Sequence, residues 1–113
     1  MRSKISSLSK NDDFKYLLNG KKISNKYLTI FFRRLANKDS NKLNISFVTK
    51  KKIGNAVIRN KIKRRLRNIM NESVKKIKLN LNYSYLIIAK KTIFEDSYGK
   101  IKEILFADFK KIK

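Results

Sequence analysis

Apolar residues recur along this chain in two rhythms, and the rhythm changes mark its elements. Phe14, Leu17 and Leu18 form a short stripe at helical spacing. It follows Ser9 and Asp12, spaced as a capping box with an acid at the third position, and it stops at Gly20, a natural residue just past a helix end. A first helix is predicted over residues 10–19. From Lys26 to Leu35 the period becomes two, as in a half-buried strand. Its even positions Leu28, Ile30 and Phe32 should face a core, while Tyr27, Thr29, Phe31 and Arg33 share the other face. Residues 37–42 read as a polar turn. Leu43 to Thr49 is a further strand, with Leu43, Ile45 and Phe47 inward and Asn44, Ser46 and Val48 on its other side. Residues 21–24 leave room for one more short strand.

Asn55 can cap a long helix running to residue 78. Ile58, Ile62, Leu66, Ile69, Met70 and Ile77 fall within one arc of roughly 120° at 100° per residue. Asn60, Arg64, Arg67 and Asn68 lie opposite, flanked by Lys61, Lys63 and Arg65. Tyr83 to Ala89 is almost continuously apolar, as a central strand covered on both faces would be. Ser97 then caps a last helix in which Ile101, Ile104, Leu105, Phe109 and Ile112 keep amphipathic spacing. The order is α-β-β-α-β-α. A strand, a crossover helix and another strand imply parallel pairing, and hence an α+β sandwich with helices packed on a sheet.

Composition adds the partner. The chain has 113 residues, enough for one domain over 1–113, and proline and internal repeats are absent. Its 30 Lys and Arg face 8 Asp and Glu, a net charge of +22. Codon bias in an AT-rich gene would enrich Lys, Ile and Asn, but it should enrich Glu as well, and Glu is scarce. Selection for a polyanionic partner accounts better for the imbalance, since phosphates relieve the self-repulsion of such a chain. Without Cys or His there are no disulfides, no Cys/His zinc sites, no thiol nucleophile and no imidazole base. The first residues hold no apolar core of signal-peptide length, and no run approaches ~18 apolar residues, so the protein is expected to be soluble and cytoplasmic.

The densest cations lie between Lys50 and Arg67. Lys50, Lys51 and Lys52 lead through Gly54 into the long helix, where the helix dipole disfavours positive charge unless an anion sits there too. Arg59, Lys61, Lys63, Arg64, Arg65 and Arg67 follow, with Glu72 the one acid nearby. Such a run can be a merely solvated face. Uncompensated like charges at i,i+3 and i,i+4 destabilise a helix, however, which favours a phosphate partner. Phe14 and the Tyr27/Phe31/Arg33 face add aromatic platforms among cations, as single strands require, although core packing suits each of these rings equally well. Phe32, Phe47, Phe106 and Phe109 lie on the apolar phase and read as core.

The stretch Lys52-Ile53-Gly54-Asn55-Ala56-Val57-Ile58-Arg59-Asn60-Lys61, followed by Lys63-Arg64 and Arg67, resembles the signature helix of the ribonuclease P protein family. That family's pattern runs K-x-G-x-A-V-x-R-N-R, then K-R and a further R. Asn11-Asp12-Asp13-Phe14, the Leu43–Thr49 strand and Tyr85-Leu86-Ile87-Ile88-Ala89 with two lysines extend the likeness over most of the chain. Lys61 departs from the pattern: it keeps the charge of the usual Arg and loses its bidentate fork. The first helix is one residue shorter than is usual, so no aromatic beyond Phe14 is carried over.

The resemblance implies an α-β-β-β-α-β-α fold on a mixed four-stranded sheet. It also implies a left-handed β-α-β crossover, against the right-handed rule that holds in about 98% of cases. By the same resemblance the chain is the protein subunit of ribonuclease P. Arg59, Asn60, Lys61, Lys63, Arg64, Arg65 and Arg67 would bind the catalytic RNA. A cleft with Phe14, Tyr27, Phe31, Arg33 and Lys50, Lys51 and Lys52 would hold the 5′ leader of precursor tRNA while the leader is removed. No membrane and no obligate protein partner is implied.

Catalytic and metal-ligating residues are expected to be absent from the protein. Asp12/Asp13 and Glu95/Asp96 are neighbours at helix starts, where capping suits them, and no spacing of the acids demands a metal site. Mg²⁺ is expected to come through the RNA. Two other readings stay open at this point. A ribosomal protein would carry extended basic tails. A protein binding anionic membrane would expose large apolar residues on a basic helix face.

Overall fold

The structure, a computed structural model, describes residues 5–7, 11–34, 43–76, 81–94 and 97–112. The Ser9 end of the expected capping box, the 37–42 turn, Ile77 and the Glu95/Asp96 pair lie outside these residues. In chain order the elements are β1 (Ile5–Ser7), α1 (Asn11–Leu18), β2 (Lys21–Ser24), β3 (Leu28–Arg34), β4 (Leu43–Val48), α2 (Ala56–Lys76), β5 (Tyr83–Ala89) and α3 (Tyr98–Lys111). Short 3₁₀ turns at Lys51–Ile53 and Lys91–Phe94 follow β4 and β5.

The sheet order is β1-β4-β5-β3-β2. β2, β3 and β5 are antiparallel neighbours, whereas β4 runs parallel to β5 and is joined to it through α2. The α+β class and the four expected strands are therefore all present in one mixed sheet. A fifth, β1, adds a parallel edge to β4, pairing Ile5 with Leu43 and Ser7 with Ile45. Three residues are too few to show a period, and such an edge is held by main-chain bonds that side chains do not announce.

Two layers cover the sheet unequally. On one face α2 and α3 bury Ile30, Ile45 and Ile87 of the sheet under Ile62, Leu66, Met70, Leu105 and Phe109. The Tyr85 ring meets Phe109 edge-on at 5.1 Å, and burial pushes the Tyr85 hydroxyl well above the usual tyrosine range. On the other face, among the described residues, α1 packs down through buried Leu17 against Leu86, with Phe14, Phe31, Val48 and Ile88 half-buried around them. Leu18, expected in the apolar stripe, is 48% exposed, because only one side of so short a helix reaches the sheet.

Local chemistry sets the turns. Gly20 donates its N–H to the Leu17 carbonyl at 2.9 Å, and a Cβ there would lie 2.6 Å from the Phe32 carbonyl oxygen. The chain can pass from α1 to β2 this close to β3 because the side chain is missing. At the β2–β3 turn, Asn25 Oδ1 accepts from Tyr27 N at 2.7 Å and Leu28 N at 3.0 Å, closing an Asx turn. Asn25 Nδ2 donates to Asp108 Oδ2 of α3 at 2.6 Å, which fastens the hairpin to the last helix. Ser97 caps α3, its hydroxyl accepting from Lys100 N at 3.4 Å.

Candidate nucleic-acid interface

α2 begins where Asn55 Oδ1 accepts the Ile58 N–H at 3.0 Å, a side-chain cap. A Cβ on Gly54 would come within 2.9 Å of the Ile58 side chain, so this glycine lets the incoming chain lie against the first helical turn. Asn55 thus occupies one of the amide donors that the sequence leaves available to an anion. Ile62, Leu66, Ile69, Met70 and Ser73 are buried along one side of the helix. Asn60, Lys61, Lys63, Arg64, Arg65 and Arg67 are all exposed on the rest of its circumference, and Val57 stands 76% exposed among them.

Arg59 departs from this set. At 100° per residue it falls on the inner arc between Leu66 and Met70. It is half-buried, and its Nε is shut from solvent without a hydrogen-bond partner. Arg65 leans to the other margin, where its side chain lines a cleft with Tyr98 and Ile101 of α3.

Glu72, the sole acid of α2, does not answer the arginines. Its carboxylate takes Lys102 Nζ of α3 at 2.9 Å and the Tyr98 hydroxyl at 3.4 Å, with Lys76 at 3.9 Å. The Lys102 hydrogen bond holds the Glu72 carboxyl below the usual carboxylate range, and the same contact raises the Lys102 ammonium.

A second feature opens at the end of the sheet where β4 and β5 finish. Because these strands are parallel, the residues that follow each of them emerge side by side. Lys50 and Lys52 after β4 and Lys90 and Lys91 after β5 rim a groove of about 880 Å³, with Lys22 of β2 completing the rim. Phe31, Thr29 and Ile88 form its floor. Lys90 is held in place, its Nζ donating to Ser24 Oγ at 2.7 Å and to the Asn25 carbonyl at 2.6 Å. The Thr92 hydroxyl donates to the Lys26 carbonyl and fixes the following turn.

The residues expected in a cleft are only partly gathered here. Phe31, Lys50 and Lys52 line the groove, and Phe14 packs into the same apolar patch under α1. Lys51 is exposed but does not line it. Tyr27 is 2% exposed and belongs to the core beneath α2 and α3, so it offers no platform. The Asx turn at Asn25 runs through Tyr27, and β3 starts only at Leu28, so the strand alternation does not reach it. Arg33 is also elsewhere: its guanidinium stacks 4.2 Å from the Tyr16 ring centroid, and its Nη1 donates to the Tyr16 carbonyl at 3.1 Å. Lys22, Lys90 and Lys91 are the rim residues that the sequence reading does not select. The two lysines after Ala89 carried a signal, but they are distant in sequence from Lys50.

Among the described residues no three acids gather as a metal cluster would require, and no helix is long and apolar enough to cross a membrane. Asp108 is 6% exposed and bound to Asn25, with Lys111 at 3.8 Å.

Comparison with known proteins gives a consistent result. Residues 3–113 match the family model described as Ribonuclease P. A ribonuclease P protein component of Mycoplasma capricolum is 32% identical over 107 residues, covering 94% of each chain. One from Listeria monocytogenes is 36% identical over 99 residues, 87% of this chain and 80% of the relative. Among solved structures, the RNase P protein of Thermotoga maritima superposes with a TM-score of 0.77 at 26% identity, covering 96% of this chain and 98% of that one. That of Staphylococcus aureus gives 0.76 at 26% identity, with 94% and 93% covered.

Proposed function

This chain belongs to the ribonuclease P protein family, and from that membership we propose that its two cationic features divide the work of a tRNA-processing ribonucleoprotein. The protein is a subunit of the endoribonuclease that matures the 5′ end of tRNA. In our reading α2 lies on the catalytic RNA, and the lysine-rimmed groove takes the single-stranded 5′ leader of the precursor.

The observation that carries this reading is the convergence of five lysines from separate segments on a groove floored by Phe31 and Ile88. Lysines act as point charges for a backbone of variable course, while an aromatic floor stacks any base, so the groove suits a leader of unfixed sequence. On α2, Lys63, Arg64 and Arg67 offer phosphate contacts, and Asn60 between them can hydrogen-bond a base edge or ribose. Lys61 stands on the same surface without an arginine's fork.

The chemistry itself falls to the RNA in this reading, and Mg²⁺ enters with it. Glu72 and Asp108 are committed to Lys102 and Asn25, which supports that assignment. The protein's contribution is to screen RNA–RNA repulsion and to seat the leader, in the cytoplasm where precursor tRNA is made.

Replacing Phe31 with Ala tests the groove. Binding of precursor tRNA by the reconstituted holoenzyme should weaken by about 1–3 kcal/mol, the contribution of one stacked base, with mature tRNA unaffected. Equal losses for both tRNAs would remove Phe31 from the leader path. Reconstitution with a related catalytic RNA at low magnesium, assayed for 5′ processing, tests the subunit assignment as a whole.

A further inference from the structure

The opposite end of the sheet holds another groove, of about 820 Å³, which neither α2 nor the lysine-rimmed groove reaches. It opens where α1 ends, β3 leaves the sheet and β5 enters it. The run of β5 from Tyr83 to Ala89 places the two grooves about 20 Å apart at ~3.3 Å per residue.

Its walls alternate rings and cations. Phe32 and Tyr83 meet edge-on at 5.6 Å and both line the groove half-buried. Tyr16 forms the α1 side, its hydroxyl donating to the Arg34 carbonyl at 2.6 Å, while Arg33 stacks on its ring and bonds its carbonyl. The wall is thus tied from both sides. Gly20 leaves no room for a side chain against β3. Lys21 and Arg34 present exposed head groups at the mouth, and no described carboxylate pairs with either.

Rings with an accessible face next to cations, without acids, hold single-stranded nucleic acid by stacking and charge together. Duplex RNA keeps its base faces stacked inside and cannot use such rings. We propose that this second groove seats nucleotides of single-stranded RNA, with a base against Tyr83 and Phe32 and phosphates on Lys21 and Arg34. The proposal rests on the reading that this chain binds RNA and adds a surface which that reading does not use.

The full-length protein can be titrated with a single-stranded oligouridylate of about ten nucleotides, within the usual span of such sites. Amide resonances report where it binds, and anisotropy reports how tightly. Gly20, Lys21, Arg34 and Tyr83 should shift. Lys21→Gln with Arg34→Gln should weaken binding and reduce the salt slope by about 0.7 for each phosphate no longer neutralised, about 1.4 if both contacts are lost. Lys75→Gln with Lys110→Gln removes the same charge from the ends of α2 and α3 and should cost clearly less.

Equal losses in the two double variants, or shifts at these four residues with oligoglutamate of matched charge, would overturn the proposal in favour of unspecific attraction or an acidic peptide. A third variant, Phe31→Ala with Lys52→Gln, keeps the two ideas apart. Loss there but not in Lys21→Gln/Arg34→Gln defeats the second groove alone. The reverse defeats the leader groove alone.

Discussion

Asn25 is where one side chain organises the most structure. It closes the β2–β3 turn with two accepted bonds and reaches Asp108 on α3 with a third. Asn25→Ala leaves the Asp108 carboxylate largely buried without its donor, a loss of about 1–3 kcal/mol. Urea unfolding checks it, and a change within about 0.5 kcal/mol, the range of an ordinary surface substitution, would show that water replaces the amide. Gly20→Ala should cost a similar ~1–3 kcal/mol, because the group a methyl would strike is the backbone carbonyl of Phe32, which cannot step aside without disturbing β3. Thermal unfolding of that variant is the measurement. Residue by residue, period two picks out Phe31 and the inward set Leu28, Ile30 and Phe32, because the alternation holds once a strand has begun. It misplaces Tyr27, which belongs to a turn whose geometry Asn25 sets. It keeps Arg33 on the Phe31 face, but it cannot show that Tyr16 of α1 holds that side chain away from the groove.

α2 is both core helix and cationic surface, and its one acid, Glu72, is turned to Lys102 and Tyr98 of α3. Arg64→Ala with Lys63→Ala should weaken binding of the catalytic RNA and flatten its salt dependence by about one unit of slope for each phosphate no longer held. An unchanged slope would mean that these side chains point to water in the complex. Glu72 adds a pH dependence of known sign. Its folded carboxyl is held below the usual range, chiefly by Lys102, so the unfolded chain binds the proton more readily. Stability from this contact is complete above the ordinary carboxyl value of 4.5 and drains away as pH falls through the lower folded value. Melting temperature followed from about pH 6 to about pH 3 should fall less steeply in Glu72→Gln, and parallel curves would discount the contact. The helices were legible from their period and caps, β3 and β4 from their alternation, and β5 from its continuous apolar run. β1 and the groove rim were not, since one is a main-chain edge of 3 residues and the other joins lysines brought together only by the sheet.

The molecule as a whole carries +22 over 113 residues. Added salt should therefore raise the melting temperature of the free protein by screening self-repulsion, while weakening its hold on RNA. A melting temperature that falls with sodium chloride would contradict this account. The parallel ladder between β4 and β5 has one more consequence. The lysines on either side of the groove are separated by the whole of α2, and no local contact brings them together. If the groove seats a loose strand as proposed, a chain with that helix formed and the strands unpaired would attract polyanions but lack the slot that takes such a strand. On our reading of that groove, discrimination between RNA shapes would come only with this long-range closure, whereas crude attraction needs no more than the charged helix.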